Sequence, residues 1–506
     1  METKLARAAF SVGSLFSLGL SLAACGDNLP GGDGLDADGV ARIHDAVDQT
    51  LGRGLATGYS VAIWRDGEVV YAEGFGTRDE AGTPVTADTL FQIGSDTKKI
   101  TAIALLRVAE PAQTVGELVP DLELAMAPGH LDALTVDALI GHRSGLFDYT
   151  PWTEAPDDGQ LAAIARGRFA ANEYAMMPPG IAWNYANPNF SIAGLVTEVL
   201  DGRAWPDIVT DEVFAPLGME HTYARRDDLL AVEHDVASGH GEKLPDGHDS
   251  FSLFEGARSE QGWVAPADQY DNAFTRPAGM VWSTASDQAR LLGFFVDGDD
   301  RVLDDASRVA MMTSHAPLLD HLEGQGYGYG LVVMGGYPGA GDRYYPVRYL
   351  EHGGNTLSMS SASSVLPDQR VAVSVLCNGQ VEDMRPVVQA ALEAAAGDRL
   401  PAAVAPPRPI GPPEPDLASY AGAFTDPNLG DVTIAWDTDH LTIAIPRLTE
   451  LGLTVDPVFA PIARDLFQIK VDGDPVAVSF YDAPDGTPHA YAVNRLFVLT
   501  RTGPDL

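Results

Sequence analysis

Leu90-Phe91-Gln92-Ile93-Gly94-Ser95-Asp96-Thr97-Lys98-Lys99-Ile100 sets a hydroxyl at Ser95 and an amine at Lys98, three positions apart at the expected start of a helix. Positions i and i+3 share a helix face, so the amine reaches the hydroxyl, while first-turn N–H groups and the helix dipole favour negative charge developing beside it. A free serine hydroxyl is a weak nucleophile and needs such help. Ile100, Ile103, Ala104 and Val108 recur at helical spacing, and Leu105 and Leu106 make other faces apolar, which predicts an interior helix. Lys99 falls about 100° around the helix from Lys98 and reads as a solvated or interface charge.

With 24 serines and 5 lysines in 506 residues, chance alone supplies roughly 0.24 Ser-x-x-Lys matches, so the pair by itself is only suggestive. The chain otherwise uses arginine, which cannot give up its proton, so a retained lysine fits a deprotonatable amine. A second constellation, Asn184-Tyr185-Ala186-Asn187, follows the loop signal Pro178-Pro179-Gly180. A tyrosine beside a cationic amine would have its phenolate stabilised and brought towards working range, and Asn187 offers a donor and an acceptor to a substrate amide. The third is His352-Gly353-Gly354-Asn355, ahead of the strand-like run from Val371 to Leu376. Paired glycines beside a strand permit the close backbone approach that an edge strand needs if a substrate is to lie along it. Taken singly, Tyr185 reads as a half-buried loop tyrosine and His352-Gly353-Gly354 as a turn.

In this order and at these separations the three resemble the serine β-lactamase and penicillin-binding-protein superfamily, specifically class C β-lactamases, D-alanyl-D-alanine carboxypeptidases and related esterases. Further similar stretches are Leu139 to Leu146, Phe214 to Met219 and Pro277 to Thr284, and the likeness covers roughly residues 39–397. The resemblance implies an α/β (α+β) fold: an antiparallel sheet flanked by helices plus a helical subdomain, with the site between them. It implies Ser95 as nucleophile, Lys98 and Tyr185 sharing the proton transfers, Asn187 holding the acyl side chain, and an oxyanion hole from the backbone N–H groups of Ser95 and Asn355. His352, Gly353, Gly354 and Asn355 would form the strand along which substrate lies. His352 stands where many β-lactamases have lysine, and Gly353 where a hydroxyl often helps bind a carboxylate. This moves the expected substrate towards esters, amides or short peptides that present no carboxylate at that point. The implied activity is that of a serine hydrolase acting through an acyl-enzyme on an amide, peptide, ester or β-lactam. The alternative is a catalytically silent surface receptor or regulatory binding module of the same fold, motivated by Gly353.

Other chemistries find less support. No Gly-x-Ser-x-Gly elbow, His-Glu-x-x-His metal motif or Walker lysine occurs, so no metal, cofactor or nucleotide is expected. The net charge of −39 disfavours nucleic acid as a partner. Residues 1–24 read as a signal peptide, with Lys4 and Arg7 before an apolar run, and Leu22-Ala23-Ala24-Cys25 resembles a lipobox. Cys25 would then carry a lipid that anchors an exported protein to the bacterial cell envelope, through a tether over residues 25–39. Residues 40–397 form the expected hydrolase domain, and Val40 to Leu55 its first helix. Residues 398–415, with seven prolines from 401 onwards, read as a semi-rigid linker. Residues 416–506 carry five short β-like runs that predict a small barrel or sandwich without a catalytic set of its own.

Overall fold

The computed structural model describes residues 35–503 apart from 126, 149–157, 159, 172–173, 244–259, 319–324, 382, 408–415, 428 and 496. The signal segment and Cys25 therefore lie outside the described residues. The first helix, α1 (Ala37–Leu51), starts three residues earlier than the periodicity predicts, because the Asp36 side chain accepts the Gly39 N–H at 2.6 Å and caps it. The expected tether is shortened accordingly.

The hairpin read from the sequence is present as β1 (Gly58–Arg65) and β2 (Glu68–Gly76). Asp66 and Gly67 both take positive φ, the conformation a tight two-residue turn demands. Six further strands complete an eight-stranded sheet: β3 (Ala316–Pro317), β4 (Gln325–Tyr327), β5 (Val332–Met334), β6 (Tyr349–Asn355), β7 (Ser360–Leu366) and β8 (Val371–Cys377). The spatial order is β2-β1-β8-β7-β6-β5-β4-β3, and the pairings are antiparallel. The β8 strand is buried along its whole length because both faces of the sheet are covered. Val371, Val373 and Val375 point to one core with Ile43, Val47 and Leu392, where α1 packs on the helix Arg385–Ala396. Ala372 and Leu376 point to the other, with Leu291 and Phe295 of the helix Ala285–Asp297 and the helical subdomain.

The proline-rich segment does not simply swing free of this domain. Before it leaves the described residues, Val404 N–H donates to Tyr344 O at 2.7 Å. Beyond it, eight strands close into an up-and-down barrel: β9 (Gly422–Asp426), β10 (Gly430–Asp437), β11 (His440–Ala444), β12 (Val455–Ala463), β13 (Leu466–Val471), β14 (Asp474–Tyr481), β15 (Tyr491–Asn494) and β16 (Phe497–Arg501). Pairing of β9 with β16 closes the ring and leaves no open edge. Phe424, Ile434, Phe459, Phe467 and Phe480 fill its interior. The barrel docks on the first domain through Val493 and Val498, which pack against Met177 and Ala182.

Candidate active site

Ser95 lies in a 3₁₀ turn, Gly94–Asp96, that leads directly into α2 (Thr97–Leu106), all ten of whose residues are buried. The serine itself is partly exposed, and the Lys98 Nζ stands 2.9 Å from its Oγ. Lys98 Nζ has two further partners, Asn187 Oδ1 at 2.7 Å and the Ala278 carbonyl at 2.8 Å. Two carbonyl oxygens take two N–H groups, so in the neutral amine the third direction, towards Ser95, is the lone pair. Burial favours that state: desolvation pushes the Lys98 pKa well below its usual range, although Asp148 and Asp96 oppose the shift. The Ser95 O–H can thus donate to a neutral amine at rest.

Tyr185 is 9 % exposed, hydrogen-bonded to Ser95, and its ring centroid lies 4.9 Å from Lys98 Nζ. The expectation of a phenolate is corrected here. Burial pushes the Tyr185 pKa up, and the neighbouring cation Arg495 only partly offsets it, so the phenol keeps its proton and is a donor. Asn187 also departs from expectation, since Lys98 occupies its Oδ1 and its Nδ2 and backbone N–H both donate to Asp148 Oδ1, at 3.0 and 2.8 Å. Asn187 chiefly holds Lys98. One Nδ2 hydrogen remains for a substrate.

The strand β6 runs past the nucleophile as an edge. Its partner β5 stops opposite Glu351, so residues 352–355 are paired only with β7 on the other side. Gly94 adopts φ +55°, and a Cβ there would sit 2.7 Å from the Asn355 amide nitrogen; one on Gly354 would sit 1.9 Å from Ile93 O and 2.8 Å from the Ser95 nitrogen. The two backbones touch through glycines, which brings the two oxyanion-hole donors together. Gly353 is exposed, whereas His352 is buried and turned away from solvent. Its Nδ1 donates to Gly353 O at 2.6 Å and its Nε2 accepts from Tyr327 O–H at 3.0 Å. Burial holds its pKa down at about 3, so it is a neutral support for the strand and no substitute for a lysine cation. Gly354→Ala should cost Ser95 reactivity about 10²-fold, the scale of a 1 Å misplacement, while leaving the thermal melt cooperative. The rate of fluorophosphonate labelling measures it; a near-wild-type rate would refute the contact.

Further residues support the site beyond those that the three motifs name. Lys99, read as a solvated charge, is fully buried with Asp96 as its ion-pair partner. The other Asp96 oxygen accepts from Ser361 Oγ at 2.9 Å and Ser363 Oγ at 2.7 Å, pinning the nucleophile's turn to β7. His142 is also buried, with φ +55°. Its Nδ1 accepts the Ala186 N–H and Asn189 Nδ2, both at 3.1 Å, and its ring lies 4.2 Å from that of Tyr185, which fixes the Tyr185–Asn187 segment. Finally Arg495, at the tip of the barrel hairpin β15–β16, reaches Asp148 Oδ2 with Nε and Nη2, each at 3.0 Å, and lies 4.5 Å over the Tyr185 ring. A wall of the site therefore comes from the barrel.

A helix-flanked antiparallel sheet with this turn at its edge strand is the architecture of the β-lactamase and penicillin-binding-protein hydrolases. Residues 43–398 match the Beta-lactamase family, and the chain belongs to it as a hydrolase of that superfamily. Penicillin-binding protein 4 of Amycolatopsis lactamdurans is 28 % identical over 391 residues, covering 72 % of this chain and 92 % of that protein. A D-aminopeptidase of Cereibacter sphaeroides is 26 % identical over 476 residues, covering 88 % and 80 %. Among solved structures, SurE superposes with a TM-score of 0.65 at 21 % identity, covering 92 % of this chain and 100 % of that one.

Proposed function

We propose that the protein is a serine hydrolase that forms an acyl-enzyme on Ser95 with an amide, peptide, ester or β-lactam substrate. The observation that carries the reading is the buried Lys98 amine, 2.9 Å from Ser95 Oγ, with its two N–H groups taken by Asn187 and Ala278. In this mechanism Lys98 accepts the Ser95 proton as Oγ attacks the carbonyl carbon. The oxyanion forms against the Ser95 and Asn355 N–H groups, of which one such donor is typically worth about 2.7–4 kcal/mol. The proton returns through Lys98 and the Tyr185 O–H to the leaving group, and water then repeats the sequence to release the acid. His352 is neutral with both ring nitrogens engaged, which supports substrates lacking a carboxylate at that point. Amides and short peptides fit, and the D-aminopeptidase relative supports that class.

Nothing favours the silent-receptor alternative: Gly353 bears on which substrate is held, and nucleophile, base and donor stand within reach of one another. Pure protein incubated with a fluorescent penicillin, a fluorophosphonate and a panel of p-nitrophenyl esters and peptide amides tests the reading. Label or turnover is expected with at least one of them and is abolished by Ser95→Ala. Label that survives that substitution, or no reaction with any probe, would exclude it.

A further inference from the structure

We propose that Arg495 is a positioning residue of the acylation site: by clamping Asp148 it fixes Asn187 against Lys98 and balances a carboxylate that would otherwise face the base unopposed. The barrel is then part of the catalytic apparatus. This rests on the serine-hydrolase reading above and extends it to a residue 400 positions from the nucleophile.

The geometry is a continuous chain of hydrogen bonds that ends in an ion pair. Lys98 Nζ meets Asn187 Oδ1 at 2.7 Å, Asn187 Nδ2 meets Asp148 Oδ1 at 3.0 Å, and Asp148 Oδ2 meets Arg495 Nε and Nη2 at 3.0 Å each. Each oxygen of Asp148 thus has its own job, one orienting the asparagine and the other receiving the guanidinium. The side chain of Asp148 is only 9 % exposed, so an unneutralised charge there would be poorly screened. The guanidinium also covers the Tyr185 ring, and the residues flanking it, Val493 and Val498, pack on Met177 and Ala182 in the segment that leads to Tyr185. Anchoring on both sides keeps the hairpin tip in place.

The electrostatics give the inference a sign. Among the described residues, charged or titratable groups facing Lys98 come from five places: Asp96 and Lys99 on its own turn and helix, His142 and Asp148 from the 142–148 segment, Tyr185, His352 on β6, and Arg495. Asp96 and Lys99 pair with each other, and burial keeps His142, His352 and Tyr185 neutral. Of the remaining influences, Asp148 favours the ammonium form of Lys98 most, Arg495 disfavours it, and Asp96 adds a smaller pull towards the ammonium. Removing Arg495 should keep Lys98 protonated to higher pH; removing Asp148 should do the opposite; removing both should nearly cancel.

The test measures the pH dependence of Ser95 labelling in the full chain with an uncharged alkyl fluorophosphonate, followed by intact mass. In Arg495→Gln the acidic limb should move up by about one pH unit, so that labelling on that limb slows about tenfold. In Asp148→Asn it should move down, in the double variant it should return close to wild type, and Arg495→Lys should restore its position by keeping the charge. A residue that merely braces the barrel would lower the labelled fraction or the melting temperature without moving the limb. An unmoved limb in Arg495→Gln overturns the proposal. Should that variant fail to fold, the Asp148→Asn limb decides in the same way. Absence of Ser95 labelling in wild type would instead overturn the hydrolase reading itself.

Discussion

Lys98→Met is expected to slow Ser95 acylation by about 10²–10⁴-fold, the range a positioned general base supplies, without unfolding the protein. Methionine matches the length of the buried stem and brings no charge, and the site has already desolvated the amine it replaces. The melt should stay cooperative, with a modest drop because Asn187 Oδ1 and Ala278 O lose their donor. Lys98→Arg separates proton transfer from simple electrostatics. Arginine places a permanent cation beside Ser95 and cannot release its proton near neutral pH, so it should be as slow as methionine; retention of more than a tenth of the wild-type rate would show that the lysine acts as a charge. The pH profile adds a second signature. Wild-type reactivity falls as pH drops through the depressed Lys98 pKa, because the ammonium has no lone pair for the Ser95 proton, and this limb should vanish in the methionine variant. Tyr185 cannot account for that limb, since burial raises its pKa.

How much of this was legible in the sequence follows from what kind of contact each residue makes. Ser95 and Lys98 are helical neighbours, and their relation is written in a spacing of three. The apolar run from Val371 to Leu376 announced a strand, and the paired glycines 353 and 354 announced a strand approached by backbone. The barrel was legible where its strands alternate inward apolar residues with more exposed ones, as at Val432–Trp436 and Phe467–Val471. It was not legible at Val455–Ala463, where Pro457 and Pro461 argue against a strand that in fact bends and breaks register against its neighbour. Arg495 left no local signal at all: it sits in a two-residue turn, and its meaning depends on a carboxylate 347 residues away. Lys99 was misread for a related reason. Its angle on the helix was right, but the partner that makes burial tolerable, Asp96, is itself held by two serines from β7, and only the tertiary fold brings those together.

That buried pair carries the largest expected effect on stability. Asp96 and Lys99 are both fully buried, and the aspartate's second oxygen accepts from Ser361 and Ser363. Asp96→Asn preserves shape and much of the hydrogen bonding to the two hydroxyls, but strips Lys99 of its counter-charge. Breaking a buried pair from one side typically costs about 3–5 kcal/mol. Lys99 can escape an unpaired charge by giving up its proton, which from an ordinary pKa near 10.4 costs about 4.6 kcal/mol at pH 7, a ceiling of similar size. The penalty also has a direction in pH. Burial lowers the folded-state pKa of Lys99, and without Asp96 nothing on that side opposes the shift. The unfolded chain then binds the proton that the folded chain does not, so the deficit is greatest at low pH and shrinks as pH rises towards the unfolded value. Urea unfolding of wild type and Asp96→Asn at pH 7 and pH 9.5 should show a deficit that narrows as pH rises, by at most about 1.36 kcal/mol per pH unit. A deficit independent of pH would mean that the loss comes from the serine contacts alone. Replacing both partners, as Asp96→Asn with Lys99→Met, should recover most of the stability. It should not recover full acylation, because the turn that presents Ser95 would then rest on two neutral hydrogen bonds where it now rests on a carboxylate.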